Sequence, residues 1–301
     1  MRITNNITTQ NALRTMQRGQ QEISAATDRV TTGLRFQRAS EDPTAAAQVM
    51  RTSGSLRALE QYRRNIDAAT SRAAAEEGVL DQVGDVLARA RELGMSQATG
   101  TADASTRLVA KAEVDQLLRF AVSLANTRSG EAYLFGGSHA AEAPFAVDES
   151  DPDGALGFTT TSPTGELKIE ISSGQLLSTS HDGTQVFGTL TDGPLAALRD
   201  LSAALGANDQ DAIGAATADV RKAFDGVQML VGDVGARMNQ LEVTGANLKA
   251  LRATLETFRS DVQEIDFEQA VTELVGRQTA FQAAMMATSR VMGMNLTDYI
   301  R

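Results

Sequence analysis

The sequence predicts a mainly α-helical protein in which long antiparallel helical arms form a coiled-coil-like bundle and carry a small β-rich insert. All five prolines lie between Pro43 and Pro194, and apolar residues recur at helical spacing on both sides of the middle of the chain. Aromatic residues make up only 4% of the 301 residues. Because proline inside a helix costs about 3 kcal/mol, the proline-free blocks are where long helices run. A core with so few rings is filled by aliphatic side chains, as in helix-on-helix packing.

Two long apolar seams predict the arms. Between residues 59 and 90, alternating steps of three and four meet ten positions, of which nine are apolar and only Glu76 is not. A second seam runs through 220–241 and, after a break in phase, through 251–265. Spacing of this kind, sustained over several heptads, is typical of helices that pack along each other. The two arms are therefore predicted to pair.

Shorter amphipathic helices are predicted at both ends of the chain, although polar residues interrupt their stripes. The stripe positions are Leu13, Met16, Gln20, Ile23, Thr27, Val30 and Leu34 in the first, and Val271, Leu274, Gln278, Phe281, Met285, Thr288 and Met292 in the last. An isolated helix gains little from propensity alone, so both ends need a partner, either each other or neighbouring copies. Polymerisation through the two ends is therefore a serious hypothesis.

The middle of the chain changes period and charge. Residues 136–194 hold nine acidic side chains against one lysine, a net charge of −8, whereas the other 242 residues carry −2. Leu167–Ile171 alternates as a half-buried strand does, and the turn sequence before it predicts a hairpin with the Thr-rich Gly157–Thr161. A further strand is predicted at Gln185–Leu190. These features predict a small acidic β-rich insert, with a helix ending near Phe135 before it.

Composition excludes most catalytic chemistry. The chain has no cysteine, and its two histidines, His139 and His181, fall in predicted turns where a solvated ring is the default. Thiolate nucleophiles, disulfides, iron–sulfur ligation and the usual zinc sites are therefore ruled out. Asp148–Gly154 offers oxygen ligands without the spacing of a calcium loop and predicts a solvated acidic loop. We predict no enzyme, no cofactor and no metal.

Binding to nucleic acid or to a membrane is not predicted either. Arginine outnumbers lysine 24 to 4, but the net charge of −10 opposes binding to phosphates. The longest apolar run, Ala283–Ala287, is far shorter than the roughly 20 residues of a membrane span. The first residues lack the apolar stretch of a cleavable signal peptide. Asp42 followed by Pro43 predicts the start of a helix, a stronger interpretation than a pair of catalytic carboxylates with Glu41.

Short motifs lie at both ends of the sequence and beside the insert. In the N-terminal part they are Met1–Gln10, Thr31–Arg35 and Ala39–Pro43. Further along they are Gly130–Gly137 followed by Pro144-Phe145, then Gly235–Leu241, Thr272–Leu274, Gln278–Ala284 and Leu296–Ile300. The first group resembles the bacterial flagellin family, and the second resembles the members of that family found at the hook–filament junction. Two departures stand out. Glu41 and Ala45-Ala46 replace a pattern of paired aspartates and a downstream glycine, and the insert matches no motif of the family.

The resemblance implies a structural part of the extracellular flagellum rather than an enzyme. It implies a homo-oligomeric ring at the distal end of the hook, which joins hook-associated protein 1 to flagellin by coiled-coil packing of the terminal helices. It also implies that the unfolded chain is secreted through the flagellar type III apparatus, after a cytoplasmic chaperone has held its C-terminal helix. A short filament-forming flagellin remains an alternative, and a soluble helical sensor with a ligand-binding insert is a more distant one.

With this resemblance, five segments are expected: an N-terminal assembly and export helix (1–42), a helical arm (43–135), the β-rich acidic inserted domain (136–194), a returning arm (195–265) and a C-terminal assembly helix (266–301). The expected assembly residues are Ile3, Leu13, Met16, Ile23, Val30 and Leu34, facing Leu274, Phe281, Met285, Met292, Leu296 and Tyr299. Each large apolar side chain contributes about 1.5–3 kcal/mol when fully buried within or between subunits.

The terminal stripes predict that the ends of the isolated monomer are disordered, because they lack the partners that assembly supplies. Trypsin added to the monomer is expected to remove both ends within the first minutes, while the arms resist. Mass spectrometry of the digest measures this. Ends that stay uncut as long as the arms would count heavily against the hypothesis.

Overall fold

The computed structural model describes residues 2–99, 102–139, 141–148, 157–161 and 163–297, and for residues 2–6, 8, 9, 139 and 291–297 it describes the backbone alone. The chain forms two compact units. Unit 1 comprises residues 1–58 and 250–301, and unit 2 comprises residues 59–249. Within the described ranges, no helix is long and apolar enough to cross a lipid bilayer.

Helices dominate the fold, as predicted. They are α1 (Arg2–Thr32), α2 (Pro43–Gln97), α3 (Ala104–Ala125), α4 (Gly183–Phe187), α5 (Pro194–Ala207), α6 (Gln210–Gln263) and α7 (Phe267–Thr297). The strands are β1 (Arg128–Ser129), β2 (Ala132–Tyr133), β3 (Phe145–Asp148), β4 (Gly157–Thr160), β5 (Lys168–Ser172) and β6 (Gln175–Ser178). Consecutive strands pair two by two and antiparallel.

The core of unit 2 is built on α2 and α6, which run antiparallel. A Cβ atom added to Gly245 would lie 3.8 Å from Ile66, and one added to Gly94 would overlap Thr217. As the chain advances along α2 from Ile66 to Gly94, its partner on α6 moves back from Gly245 to Thr217, so the two helices are antiparallel. The seam predicted at residues 59–90 is confirmed, because its members are buried except for the half-buried Tyr62.

A second helical layer comes from α3 and α5, which pack against each other. Asp103 begins α3, and the backbone N–H of Thr106 donates to its carboxylate at 2.7 Å, which lowers the pKa of Asp103 to about 2. Val114 and Leu118 on α3 and Leu201 on α5 are fully buried in the same cluster. This layer completes a largely aliphatic core.

The predicted hairpin between Gly157–Thr161 and Leu167–Ile171 is wrong, although strands occur at both places. β4 pairs with β3, which places Val147 opposite Phe158, and β5 pairs with β6. Phe145 and Phe158 are both buried in this arrangement. The pairing of β4 with β3 therefore buries two rings. The predicted pairing of β4 with β5 would leave Phe145 without a strand partner.

The strand predicted at Gln185–Leu190 is also wrong, because this segment begins as the short helix α4. The Asp182 carboxylate accepts the backbone N–H of Gln185 at 3.0 Å and so caps the helix. Phe187, at its end, meets Phe135 and Phe145 edge-on, with ring centroids 5.1 and 5.6 Å away. One turn of helix places this ring in the aromatic cluster.

The preceding arm ends ten residues earlier than the sequence suggested, at Ala125 rather than near Phe135. Asn126 follows α3, and its side chain pairs with the backbone of Phe145 as a neighbouring strand would. Its amide donates to the Phe145 carbonyl at 2.7 Å and its oxygen accepts the Phe145 N–H at 3.1 Å. Most of residues 148–154, the predicted acidic loop, lie outside the described residues.

Asn126→Ala is expected to lower the free energy of unfolding by about 1–3 kcal/mol, because it leaves a buried N–H and a buried carbonyl of Phe145 without partners. Urea unfolding followed by circular dichroism measures the change. Asn239→Ala, at an exposed position of α6, is the control and should stay within about 0.5 kcal/mol of the parent. Equal stability of both variants would contradict this account of Asn126.

Candidate assembly surface

In unit 1, α1 and α7 pack along each other. On each helix the less exposed positions form one narrow stripe of mostly small or aliphatic residues, and the two stripes together are called the α1–α7 seam. The seam consists of Ala12, Met16, Gly19, Ile23, Ala26 and Val30 on α1, and of Val271, Leu274, Arg277, Phe281, Ala284 and Thr288 on α7. Only Ala26 among them is buried, and the others are half-buried. The α1–α7 seam therefore buries little side-chain surface, as expected for two helices that have a single contact face.

Two contacts fix the direction and register of this pair. The ring of Phe281 lies over Gly19, where an added Cβ atom would be 2.9 Å from the nearest ring carbon. One turn further along α1, Glu22 pairs with Arg277 at 3.0 Å. The helices therefore run antiparallel, and Gly19 provides the gap that receives the phenyl ring.

Backbone hydrogen bonds close the same end of α1 and α7. Gly33 ends α1 with a φ of +70°, a conformation that glycine adopts without strain. Arg35 N–H donates to the Gln263 carbonyl at 2.7 Å, and Ile265 N–H donates to the Gly33 carbonyl at 3.0 Å. The two connecting loops are thus held side by side at the base of the pair.

Asp42 and Pro43 lie at the start of α2, also in unit 1. Asp42 accepts the backbone N–H of Ala45 at 2.9 Å and pairs with Arg35 at 2.9 Å. The Ala45 hydrogen bond, with a smaller contribution from Arg35, holds the pKa of Asp42 below its usual value. The cap is therefore fully ionised near neutral pH and weakens only as the pH falls through the acidic range.

The structure places the predicted assembly residues in three groups. The half-buried ones are Met16, Ile23, Val30, Leu34, Leu274 and Phe281. Leu13 and Met285 are exposed, at 52% and 47%. Ile3, Met292 and Leu296 lie in α1 and α7 with side chains that are not described, and Tyr299 lies outside the described residues.

The seam differs in phase from the predicted stripes. On α1 it passes through Gly19 and Ala26, whereas the predicted Gln20 and Thr27 are exposed. On α7, Arg277 and Ala284 replace the predicted Gln278 and Met285, while Thr288 does belong to the seam. A signal was available, since a glycine inside a helix costs about 1 kcal/mol and often marks a close approach.

Large apolar side chains remain exposed on unit 1. They are Ile7, Leu13, Met50, Leu251, Phe258, Phe267, Val275, Met285 and Met286, each at least 45% exposed. The predicted continuation of the second seam is confirmed only in part: Leu255, Val262 and Ile265 are half-buried, whereas Leu251 and Phe258 are exposed. Single exposed apolar residues are ordinary, and unit 2 also has some, such as Val109 and Met229, but those of unit 1 lie on a shorter part of the chain.

The two units also differ in charge. Unit 1 holds 13 arginines against 11 acidic residues, a net charge of +2, whereas unit 2 holds 15 basic against 27 acidic residues, a net charge of −12. Within the described residues, no three His, Asp or Glu side chains form a group able to hold a metal ion. Unit 1 is therefore nearly neutral, and the long-range electrostatic field from its net charge is weak.

Comparison with known sequences decides the family. The profile of the bacterial flagellin N-terminal helical region matches residues 3–140, and that of the C-terminal helical region matches residues 217–300, together about three quarters of the chain. The chain belongs to the flagellin family. The seam helices α1 and α7 and most of the two arms lie within the matched ranges.

Individual members of the flagellin family are similar over the whole chain. Flagellar hook-associated protein 3 of Escherichia coli is 24% identical over 98% of both chains, and a flagellin of Bacillus subtilis is 25% identical over 100% of both. A putative flagellar hook-associated protein from Vibrio parahaemolyticus has the same fold, with a TM-score of 0.65 over 74% of this chain and all of that one, at 18% identity.

Gly19→Val is expected to open the α1–α7 pair, because the added side chain meets the ring of Phe281. Overpacking of this kind costs about 1–3 kcal/mol, and the lower end applies to a half-exposed ring. Cleavage by trypsin within α1, measured by mass spectrometry before the ends of the parent are removed, should therefore be about fivefold faster in the variant than in the parent.

Gly276→Val is the matched control, since nothing lies within 4 Å of a Cβ atom at that position of α7. Gly276→Val also replaces a helical glycine by valine, so the change in helix propensity is the same, but the new side chain meets no neighbouring ring. Equal cleavage rates for the two variants would show that Gly19 does not receive the Phe281 ring.

Proposed function

We propose that this protein is a junction adaptor of the bacterial flagellum, which forms a ring of copies between hook and filament. The observation that carries the proposal is the α1–α7 pair, whose thin seam leaves apolar side chains such as Leu13 and Met285 exposed. Helices with unsatisfied apolar faces gain most of their stability from further packing. In the ring, neighbouring copies supply that packing.

The proposed partners on either side of the ring are hook-associated protein 1 and flagellin. Similarity over 98% of both chains to a protein named hook-associated protein 3 supports a place beside the hook. Family membership supports packing against flagellin, because partners with similar terminal helices can continue one coiled-coil layer. The five-segment division fits this role, with 1–42 and 266–301 as the assembly segments.

Secretion as an unfolded chain completes the proposal. The chain has no cysteine that could form disulfides in an oxidising exterior. It also has no tryptophan, the bulkiest side chain, which suits passage of an unfolded chain through a narrow channel. A cytoplasmic type III export chaperone that holds the C-terminal helix would cover apolar residues such as Val275 and Met286 before export. The mature protein then lies at the extracellular hook–filament junction and has a structural rather than an enzymatic role.

A short filament-forming flagellin is the second candidate. It is favoured by the match of this chain to the flagellin of Bacillus subtilis over the full length of both. The two candidates differ in the number of copies and in their place on the organelle. A junction adaptor forms one band per flagellum, whereas a flagellin extends along the whole filament and polymerises alone.

Fluorescent labelling of the protein on intact flagella is expected to give a single band at the hook–filament boundary. Leu13→Asp should reduce the number of labelled bands about tenfold, because a charge replaces an apolar contact worth about 1.5–3 kcal/mol. Gln17→Asp, an exposed position one turn along α1, adds the same charge as a control.

Both variants should be secreted and should match the parent in helix content, which separates assembly from folding. Label along the entire filament, or filaments grown from the purified protein alone, would select the flagellin candidate. Normal bands with Leu13→Asp would remove Leu13 from the assembly surface.

A further inference from the structure

The polar interruption of the first seam, Glu76, is fully buried and faces a histidine. His181 lies between β6 and α4, and its Nδ1 is 2.6 Å from Glu76 Oε1. The backbone N–H of His181 donates to the same oxygen at 3.0 Å. The expectation that His181 is solvated is therefore wrong, since its side chain is only 11% exposed.

The other ring nitrogen of His181 faces two groups of α6. Its Nε2 is 3.1 Å from Asp233 Oδ2 and 3.2 Å from Arg237 Nη2. Asp233 and Arg237 also pair with each other at 2.7 Å. One imidazole thus lies between a carboxylate of α2 and a carboxylate of α6.

The chemistry of imidazole makes this arrangement depend on its protonation. Only the doubly protonated ring donates from both nitrogens, to Glu76 on one side and to Asp233 on the other. The neutral ring keeps Nδ1–H on Glu76, but its Nε2 then has a lone pair that accepts from Arg237 and repels the Asp233 oxygen. The two forms therefore differ in whether His181 binds Asp233.

The segments around the His181 ring contribute further charged groups. On α2, Arg72 donates to Ser180 Oγ at 3.0 Å and to the Leu134 carbonyl, and burial lowers its pKa. On α6, Arg237 Nη1 lies 3.8 Å from Glu76 Oε2. Asp182, the next residue in the chain, is turned to α4 as its cap. The two arginines and three carboxylates around the ring carry a summed formal charge of −1. Protonation of His181 brings this sum to zero.

We propose that His181 is a proton-operated latch that fastens the segment between β6 and α4 to both α2 and α6. In the closed state the imidazolium bridges Glu76 and Asp233. Loss of the Nε2 proton releases the tie to α6 and leaves the segment held by α2 alone. A metal site is not an alternative, because the two carboxylates lie at opposite nitrogens of one ring and cannot converge on one ion.

Hydrogen exchange of residues 178–183 tests the latch, because the amide of His181 is itself bonded to Glu76. The protection of this segment, corrected for the intrinsic exchange rate, should fall about two- to fivefold between about pH 5.5 and about pH 8.5 in the full-length protein. The modest size follows from the half-exposed Asp233. Mass spectrometry of the corresponding peptide measures the change.

Three variants make the test specific. His181→Gln and Asp233→Asn should each abolish the pH dependence, whereas Asp225→Asn, an exposed position of α6, should keep it. Asp233→Asn decides the matter if His181→Gln fails to fold, since Asp233 is 57% exposed and its loss spares the core. Protection that does not change with pH in the parent overturns the latch, as does a pH dependence that survives either substitution.

Discussion

The antiparallel pairing of α2 with α6 is the contact on which the rest of unit 2 depends. Its partners, such as Gly94 and Thr217, come from opposite halves of the sequence. Neither arm buries its seam until both halves are present, although each helix can form locally at once. This constraint agrees with the proposed secretion of an unfolded chain, because a chain that is only partly through a channel lacks the second arm and cannot close its core.

The same pairing also provides the platform for the inserted residues. Tyr62, Asn65, Arg72 and Glu76 lie on one side of α2, at helical spacing. Tyr62 Oη donates to Glu170 Oε1, the Asn65 amide donates to the Glu170 carbonyl at 2.7 Å, and the other two reach Ser180 and His181. Polar groups in and beside the 59–90 seam thus hold the insert, while the aromatic rings of the insert fill the core.

The long helices were predictable because their periodicity extends over many turns, so a single exception such as Glu76 does not disturb it. The short strands were not, because a four-residue segment such as Gly157–Thr160 fits several partners and its pairing depends on which rings become buried. At the candidate site, large side chains were favoured as stripe members. Helices that approach closely use Gly19 and Ala26 instead, and this shifts the seam by one residue.

The division of charge is consistent with the proposal that copies associate through unit 1. Copies of unit 2, each with a net charge of −12, repel one another at contact, whereas unit 1 is nearly neutral. At physiological ionic strength, charges are screened beyond about 8 Å, so this repulsion acts only where surfaces nearly touch. Apolar burial between copies of unit 1 would thus meet little charge repulsion, whereas contact between copies of unit 2 would be opposed by it. In the proposed ring, the exposed residues of α1 and α7 supply the apolar contacts between copies.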